Sequence, residues 1–355
     1  MTALFWSKSV RPQSKFFKRG LTPIKGFWTV GVLLCLGSRA VSSQTHLVIV
    51  SGLGGEKKYV EPFANMAQTL ADAANKRLGV PDAEIMWYGE DSVSKKPFFR
   101  GQSTKVNVEK AMRDLATRSK PGDQVVLVLI GHGSGEGADT KISIPGPDLS
   151  ANDFARLLAP FSAQKVAFVN LTSASGDMLP IVSAPNRVVI TATKSAFERN
   201  ESHFAQFFVD AFAKDVADTD KDGRVSLLEA FRYAATETKR ICETDTKLQT
   251  EHAQFDDIGA KTGVADPDGR TTQGLLARRF FLDGGAGAAG ARLASNDPQL
   301  AALYKDKYAI EEQIDQLRVK KASMSADAYD DALEALLVQL ARKAKTIREL
   351  EGRKS

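Results

Sequence analysis

The chain has 355 residues, with 48 basic and 43 acidic residues. This length accommodates one large α/β domain with an appendage. Residues 1–43 hold seven of the basic residues and no acidic one, so the remainder has 41 basic and 43 acidic residues, a formal charge of −2. A nearly neutral remainder gives no global case for binding nucleic acid or an anionic membrane, and we predict neither.

The first 43 residues are predicted to be a signal peptide. They begin with basic residues, continue with the apolar run GFWTVGVLLCLG at residues 26–37, and end in small residues, which is the plan of a secretory signal. The apolar run is too short to span a bilayer comfortably, so we expect no stable membrane span after cleavage; a permanent anchor is the alternative. The mature chain is then exported, to a periplasm or out of the cell, and Cys242 is its one cysteine, which excludes an internal disulfide.

From residue 44 to residue 283, β-branched apolar runs alternate with amphipathic stretches. The apolar runs predict strands at residues 46–50, 83–88, 124–130, 165–171 and 187–193. Helices are predicted at residues 62–78, with Pro62 in the first turn, at 104–118, at 151–161 after a capping Ser150, at 203–213 and at 227–241. Residues 97–103 are expected to be a loop, and residues 140–149 a loop or a short surface hairpin. This alternation predicts one α/β domain with a mostly parallel sheet flanked by helices.

The composition changes after the α/β domain. Residues 284–297, GGAGAAGARLASND, indicate a flexible linker. Beyond it, residues 298–355 are charged and helical in pattern, and Leu303, Ile310 and Leu317 stand at heptad spacing. We predict a helical hairpin or a short coiled coil. Such a tail either packs on its own domain or mediates dimerisation or partner binding, and the pattern fits both.

Residues 218–229, DTDKDGRVSLLE, fit a calcium-binding EF-hand loop. Carboxylates occupy positions one, three, five and twelve, a glycine occupies position six, and position seven would ligate through its backbone carbonyl; the five predicted ligand residues are Asp218, Asp220, Asp222, Glu229 and Arg224. We therefore predict a Ca²⁺ site that clamps two helices. The alternative is a solvated acidic turn. Asp266 and Asp268 in a second acidic stretch indicate turn chemistry, because Ala277 at the closing position cannot ligate; the alternative there is a degenerate ion site.

Two polar motifs follow predicted buried strands. His132 lies in GHGSGEG directly after the strand at residues 124–130, and Ser173 lies in VNLTSASGDML after the strand at residues 165–171. The carboxyl ends of adjacent parallel strands meet at one edge of a sheet, where α/β folds place their sites. His132 as base and Ser173 as nucleophile would form a dyad there, with the amide of Gly133 facing an oxyanion.

The order of these motifs resembles the caspase-like fold, and most closely the legumain-type (C13) cysteine peptidases. In that family a His-Gly after one strand pairs with a cysteine after the next, in a pattern such as E-A-C-x-S-G-S-M. On this chain His132 takes the histidine position, Ser173 takes the cysteine position, and Ser175, Gly176 and Met178 match the end of the pattern. TAT at residues 191–193 and ES at 201–202 are similar to the family's next strand and loop. The resemblance covers about residues 46–213 and implies a caspase-like domain; the calcium loop and helical tail lie outside it.

The chain departs from the family at three places. Ser173 replaces the nucleophilic cysteine, Leu171 stands at a glutamate of the asparagine-selective pocket, and residues 51–59 lack the arginine that lines this pocket. A serine hydroxyl is far less acidic than a thiol and needs a well-oriented base, and the acids near His132 in sequence are Glu136 and Asp139 on a loop.

We therefore predict an exported, calcium-stabilised peptidase homologue that is catalytically impaired and acts by binding a peptide or protein ligand. The alternatives are an active serine-variant hydrolase that uses His132 and Ser173, and a calcium-binding structural module.

Overall fold

The computed structural model describes residues 43–91, 95–199, 202–214, 216–244, 249–270, 272–283 and 297–351. The predicted leader and the predicted linker lie outside these ranges, apart from Ser43 and Asp297. Within the described residues, no helix is both long and apolar enough to cross a bilayer.

A seven-stranded sheet forms the centre of the described α/β domain. Its strands are β1 Thr45–Ser51, β2 Ile85–Gly89, β3 Phe99–Gln102, β4 Gln124–Ile130, β8 Lys165–Asn170, β9 Arg187–Thr191 and β10 Gln254–Asp256. Their spatial order is β10-β9-β8-β4-β1-β2-β3, and all neighbouring strands are parallel except β10 and β9. From β1 the chain adds β2 and β3 on one side, and the later strands are added on the other. The strand order therefore reverses between β1 and β4, and ligand sites of α/β folds occur at the carboxyl ends of strands at such a point.

Helices cover both faces of this sheet. They are α1 Lys57–Asp72, α2 Lys105–Arg118, α3 Ala151–Leu158, α4 Leu179–Val182, α5 His203–Ala213 and α6 Leu227–Thr244. One apolar core lies between the sheet and α1, α5 and α6, and a second lies between the sheet and α2, α3 and α4. In β1, Leu47 and Ile49 face the first core while Val48 and Val50 face the second, so this strand is apolar along its whole length because both faces are buried. The predicted mostly parallel sheet flanked by helices is confirmed.

Several element boundaries differ from the predictions. Helix α1 begins at Lys57, so Pro62 lies inside the helix and not in its first turn. Proline there leaves the carbonyl of Lys58 without its helical donor, but both residues are exposed, so water can serve that carbonyl. The loop predicted at residues 97–103 contains the edge strand β3. The segment at 133–150 forms a small antiparallel sheet of β5 Gly133–Ser134, β6 Lys141–Ile142 and β7 Leu149–Ser150.

The predicted helix cap at Ser150 is confirmed, because it depends only on residues close to it in the chain. Ser150 caps α3 in a full capping box: its Oγ accepts the Asp153 N–H, while the Asp153 carboxylate accepts the Ser150 N–H at 3.0 Å. By contrast, β10 was not predicted, because three residues within an acidic turn-rich segment carry too little periodicity to indicate a strand.

The C-terminal segment consists of two helices, α7 Pro298–Lys320 and α8 Ala326–Glu351. They pack against each other, and Leu300 near the start of α7 contacts the cluster that contains Ile347 near the end of α8, so the helices run antiparallel. Lys343 of α8 forms an ion pair with Asp306 of α7 at 2.5 Å.

Candidate active-site cleft and calcium loop

His132 and Ser173 lie at the carboxyl edge of the central sheet. Strands β4 and β8 are parallel neighbours with Leu129 beside Asn170, and His132 and Ser173 follow these two strands by two and three residues. Both residues line one cavity of about 210 Å³ between α1 and α5. The structure thus brings the two sequence-predicted residues into the same cleft.

The hydroxyl of Ser173 has a backbone partner. Its Oγ accepts the N–H of Gly133 at 3.3 Å. Among the hydrogen bonds of the described residues, none joins Ser173 to the His132 ring. That ring instead packs edge-on against Tyr59 and Phe63, with centroids 4.7 and 5.0 Å away. The geometry therefore holds a histidine and a serine in one cleft without coupling the histidine to the serine as a base.

Neither loop acid orients the histidine. Glu136 is exposed and lies 4.0 Å from Arg199, and Asp139 is exposed in a short 3₁₀ turn. In the described part of the chain, no carboxylate makes a hydrogen bond to the His132 ring. A histidine that must accept a proton from serine usually has such a partner to hold its tautomer and orientation.

The turn that carries Ser173 is held tightly in place. Ala174 adopts φ +52°, and its N–H donates to the carbonyl of Glu198 at 2.8 Å. The Oγ1 of Thr193, in the loop after β9, accepts the N–H groups of Ser175 and Gly176 at 2.7 and 3.1 Å. The predicted TAT segment therefore supports the serine turn by hydrogen bonding to it.

The cleft has neighbours that the sequence patterns did not single out. His203, the first residue of α5, lines the cavity and is exposed. Glu251, 3% exposed, accepts hydrogen bonds from the N–H groups of His203 and Phe204 and from the Ser202 hydroxyl. Burial raises the pKa of Glu251, although these hydrogen bonds act against it. Glu251 lies in a segment without periodicity, so no sequence signal pointed to this cap.

Three of the predicted calcium ligands cluster in space. Asp218, Asp220 and Asp222 each offer a carboxylate oxygen, and these atoms lie within 4.8 Å of one another. Burial and the nearby Asp220 raise the pKa of Asp222 to about 7. Three carboxylates at this separation repel one another, and a bound cation would relieve the repulsion. This donor set of hard oxygen ligands fits Ca²⁺.

The closing glutamate, Glu229, is not among the three clustered carboxylates of the described residues; its carboxylate instead accepts hydrogen bonds from the loop. Glu229 accepts the Thr219 N–H at 2.9 Å through Oε1 and the Ser226 hydroxyl at 2.8 Å through Oε2. The Asp218 carboxylate accepts the N–H of Gly223 at 2.9 Å. The loop joins the end of α5 to the start of α6, with Val225 buried at 6% exposure.

Arg224, expected to offer only its carbonyl, has a second role. Its guanidinium donates two hydrogen bonds of 2.7 Å to Asp283. It lies between two aromatic rings, 3.4 Å from the Phe281 centroid and 4.7 Å from the Tyr308 centroid. Tyr308, on α7, also donates its hydroxyl to the Asp222 carbonyl at 3.5 Å. The helical tail therefore packs on the loop at residues 218–229 of its own chain.

The second acidic stretch contains carboxylates that accept hydrogen bonds from backbone N–H groups. Asp257 accepts the N–H groups of Gly274, Leu276 and Ala277 at 2.8 to 3.0 Å. Asp268 accepts the Arg270 N–H at 2.7 Å. The Asp268 contact is local turn chemistry of the kind predicted for this segment, whereas Asp257 binds backbone 17 to 20 positions away in the chain.

No known protein-family profile matches this chain, and no curated protein matches its sequence. Among solved structures, a structural-genomics protein from Geobacter sulfurreducens is 12% identical with a TM-score of 0.39, covering 60% of this chain and 92% of that one. The Drosophila initiator caspase Dronc is 13% identical with a TM-score of 0.40, covering 64% of this chain and 89% of the caspase. Both likenesses concern the fold and carry no information about activity.

Proposed function

We propose that this chain is an exported, calcium-binding homologue of the legumain-like peptidases that binds a peptide or protein segment in the His132–Ser173 cleft without hydrolysing it. The observation that carries this proposal is the hydrogen bonding of Ser173. Its Oγ accepts the Gly133 N–H, and the His132 ring makes no hydrogen bond to it among the described residues. A general base must reach the hydroxyl at roughly 2.6–3.2 Å, directly or through one water, to activate it.

Chemistry points the same way. A serine hydroxyl is a weak nucleophile unless a base removes its proton as it attacks. His132 has aromatic neighbours on its ring and no orienting carboxylate among the described residues. The other residues that line the cleft can hold a ligand through shape, apolar contact and neutral hydrogen bonds, which is what a binding cleft requires.

Calcium would serve this cleft indirectly. The predicted ligands lie in the loop between α5 and α6, and α5 forms one wall of the cavity. A cation held by Asp218, Asp220, Asp222, Glu229 and the Arg224 carbonyl would fix the geometry of these two helices. The predicted leader would deliver the chain to a compartment where calcium is abundant, which suits a weak, rigidifying site.

A peptide-library assay with the full chain and calcium tests the absence of hydrolysis. We expect no cleavage above background by the wild type, by Ser173→Ala, or by Ser162→Ala, an exposed serine outside the cleft. Binding is measured in parallel on the same peptides. Cleavage by the wild type and Ser162→Ala that disappears in Ser173→Ala would replace our proposal with the second candidate.

That second candidate is a serine-variant hydrolase. It is favoured by the position of His132 and Ser173 in one cavity and by the Gly133 N–H beside the serine oxygen. For this candidate to act, the His132 ring would have to come within hydrogen-bond reach of the Ser173 hydroxyl on substrate binding. The cleavage assay separates the two candidates directly.

A further inference from the structure

We propose that the cavity beside His132 and Ser173 is a subsite for a single apolar side chain of a bound peptide, and that it rejects acidic and basic side chains. This inference rests on the proposed function, since it specifies which peptides the cleft would hold. Three observations carry it: the side chains that line the cavity, the volume of the cavity, and the hydrogen bonds that already occupy the N–H groups at the start of α5.

Four elements line the cavity, and most of its buried side chains are apolar. The polar side chains in the lining are His132, Ser173, Ser202, His203 and Gln206. Helix α1 contributes Phe63 and Met66, both 8% exposed, and the ends of β4 and β8 contribute Ile130 and Leu171, 0% and 1% exposed. Among the described residues that line the cavity there is no acid, lysine or arginine. A charged side chain placed here would lose its hydration without gaining an ionic partner, which is strongly unfavourable.

The cavity has the size of a side chain. Its volume is about 210 Å³, below the roughly 300–1,000 Å³ of pockets that hold whole small molecules. A leucine, methionine or phenylalanine side chain therefore matches it better than a cofactor or metabolite does.

The first backbone N–H groups of α5, at the rim of the cavity, are already occupied. The N-terminus of α5 reaches the cavity, and a free helix N-terminus attracts anions. Here the N–H groups of His203 and Phe204 already donate to Glu251, at 2.7 and 3.2 Å. The Ala205 N–H donates to the Ser202 hydroxyl at 3.3 Å. Glu251 and Ser202 thus occupy these donors, so none of the three is left for an acidic side chain.

The polar groups that remain suit a peptide main chain. Among the described residues, the ring nitrogens of half-buried His132 make no hydrogen bond, and a neutral imidazole offers one donor and one acceptor. A peptide amide presents the complementary pair. Acyl chains would fill the apolar walls but would leave this histidine without a partner.

The test is a peptide array probed with the full chain, in which one position in a Gly/Ser background varies among Leu, Met, Phe, Asn, Asp and Lys. Burying one large apolar side chain is worth enough to tighten binding about ten- to a hundredfold. We expect that enhancement for Leu, Met and Phe over Asp and Lys. We expect Met66→Lys to remove it and Asn65→Lys, an exposed neighbour on α1 outside the cavity, to retain it. Gln206→Glu, at an exposed lining position, is the milder second variant and should weaken apolar peptides without unfolding the chain.

The outcomes are distinguishable. Peptides that bind equally well whatever the varied residue, or that prefer Asp, Asn or Lys, would overturn the subsite and leave the proposed binding function standing. Folded protein that binds no peptide at all would overturn both. Binding to phosphatidylcholine vesicles in place of peptides would assign the cavity to acyl chains and would also overturn the inference.

Discussion

Gly133 donates its backbone N–H to the Oγ of Ser173 across 3.3 Å, from a strand end to the neighbouring strand end. The approach is so close that a Cβ at residue 133 would overlap the Ser173 carbonyl oxygen and crowd the Thr172 hydroxyl. Gly133, the second glycine of GHGS, is therefore required for packing against the turn that carries Ser173, whatever chemistry that turn performs.

Gly133→Ala is accordingly expected to destabilise the fold. The obstructing atom is a backbone oxygen that cannot rotate away, so the turn itself must shift, and overpacking of this kind typically costs about 1–3 kcal/mol. Urea unfolding measures the change. Gly55→Ala is a comparison at a site where a Cβ meets no atom within 4 Å, although its φ of +69° adds its own backbone strain. A Gly133→Ala protein as stable as the wild type would contradict the packing argument.

Calcium is expected to raise the melting temperature of the wild type. A ligand at 100 times its dissociation constant stabilises by about 2.7 kcal/mol. Asp220→Asn should abolish this effect, because it removes a ligand at position three. Without calcium the same variant should be at least as stable as the wild type, because Asp220 lies close enough to Asp222 to raise its pKa.

The matched control for this calcium experiment is Asp266→Asn, an exposed acid in the second acidic stretch. It should respond to calcium like the wild type. An unchanged wild-type melt at millimolar calcium would remove the support for the site.

Breaking the Arg224–Asp283 pair is expected to destabilise the fold far more than breaking a surface ion pair. Arg224 and Asp283 side chains are 8% and 4% exposed, so Asp283→Ala leaves a buried guanidinium without its carboxylate. Removing one partner of a buried pair typically costs about 3–5 kcal/mol. Denaturant unfolding should show this loss, whereas Arg240→Ala, which breaks an exposed pair with Glu237, should leave the midpoint unchanged. Equal effects of the two substitutions would show that Asp283 is not confined as described.

The buried cluster around His46 is expected to make the free energy of unfolding depend on pH. His46 contacts Glu84 at 2.5 Å and Asp123 at 3.2 Å, and Arg118 contacts Glu84 at 2.6 Å. Burial alone would raise the pKa of Glu84, but the hydrogen bonds from Arg118 and His46 outweigh it, and the pKa is lowered. A lowered pKa in the folded state means that the carboxylate stabilises the fold above its unfolded pKa, and that this stability is lost as pH falls through the folded value.

Glu84→Gln should therefore be less stable than the wild type at pH 7, by about 1–3 kcal/mol for a lost charge-assisted hydrogen bond. The difference should shrink as the pH falls below about 4, where the carboxylate is already protonated in the unfolded chain and the stabilisation is lost progressively towards the lowered pKa of the folded state. Unfolding free energies measured across this range check the sign. A difference that grows on acidification would be incompatible with a lowered pKa.

The strands and the helix cap could be predicted from the sequence, because each depends on residues that lie close together in the chain. Strands buried on both faces are unbroken apolar runs, and Ser150 and Asp153 cap α3 from within four residues. The carboxylates of Asp218, Asp220 and Asp222, which are predicted to bind calcium, lie close together because these residues are near neighbours in the chain. The positions of His132 and Ser173 at one sheet edge followed from their places after two strands, because parallel strands end at the same edge.

Only the tertiary structure decided what these groups contact. The pairing of Arg224 with Asp283, the Glu251 cap on α5, and the packing of His132 against Tyr59 and Phe63 join residues 47 to 73 positions apart in the chain. Such contacts depend on how whole elements stack, and no local pattern encodes them. The sequence thus determined that His132 and Ser173 follow buried strands, and tertiary packing decided that the histidine lies against aromatic rings while the serine takes its hydrogen bond from Gly133.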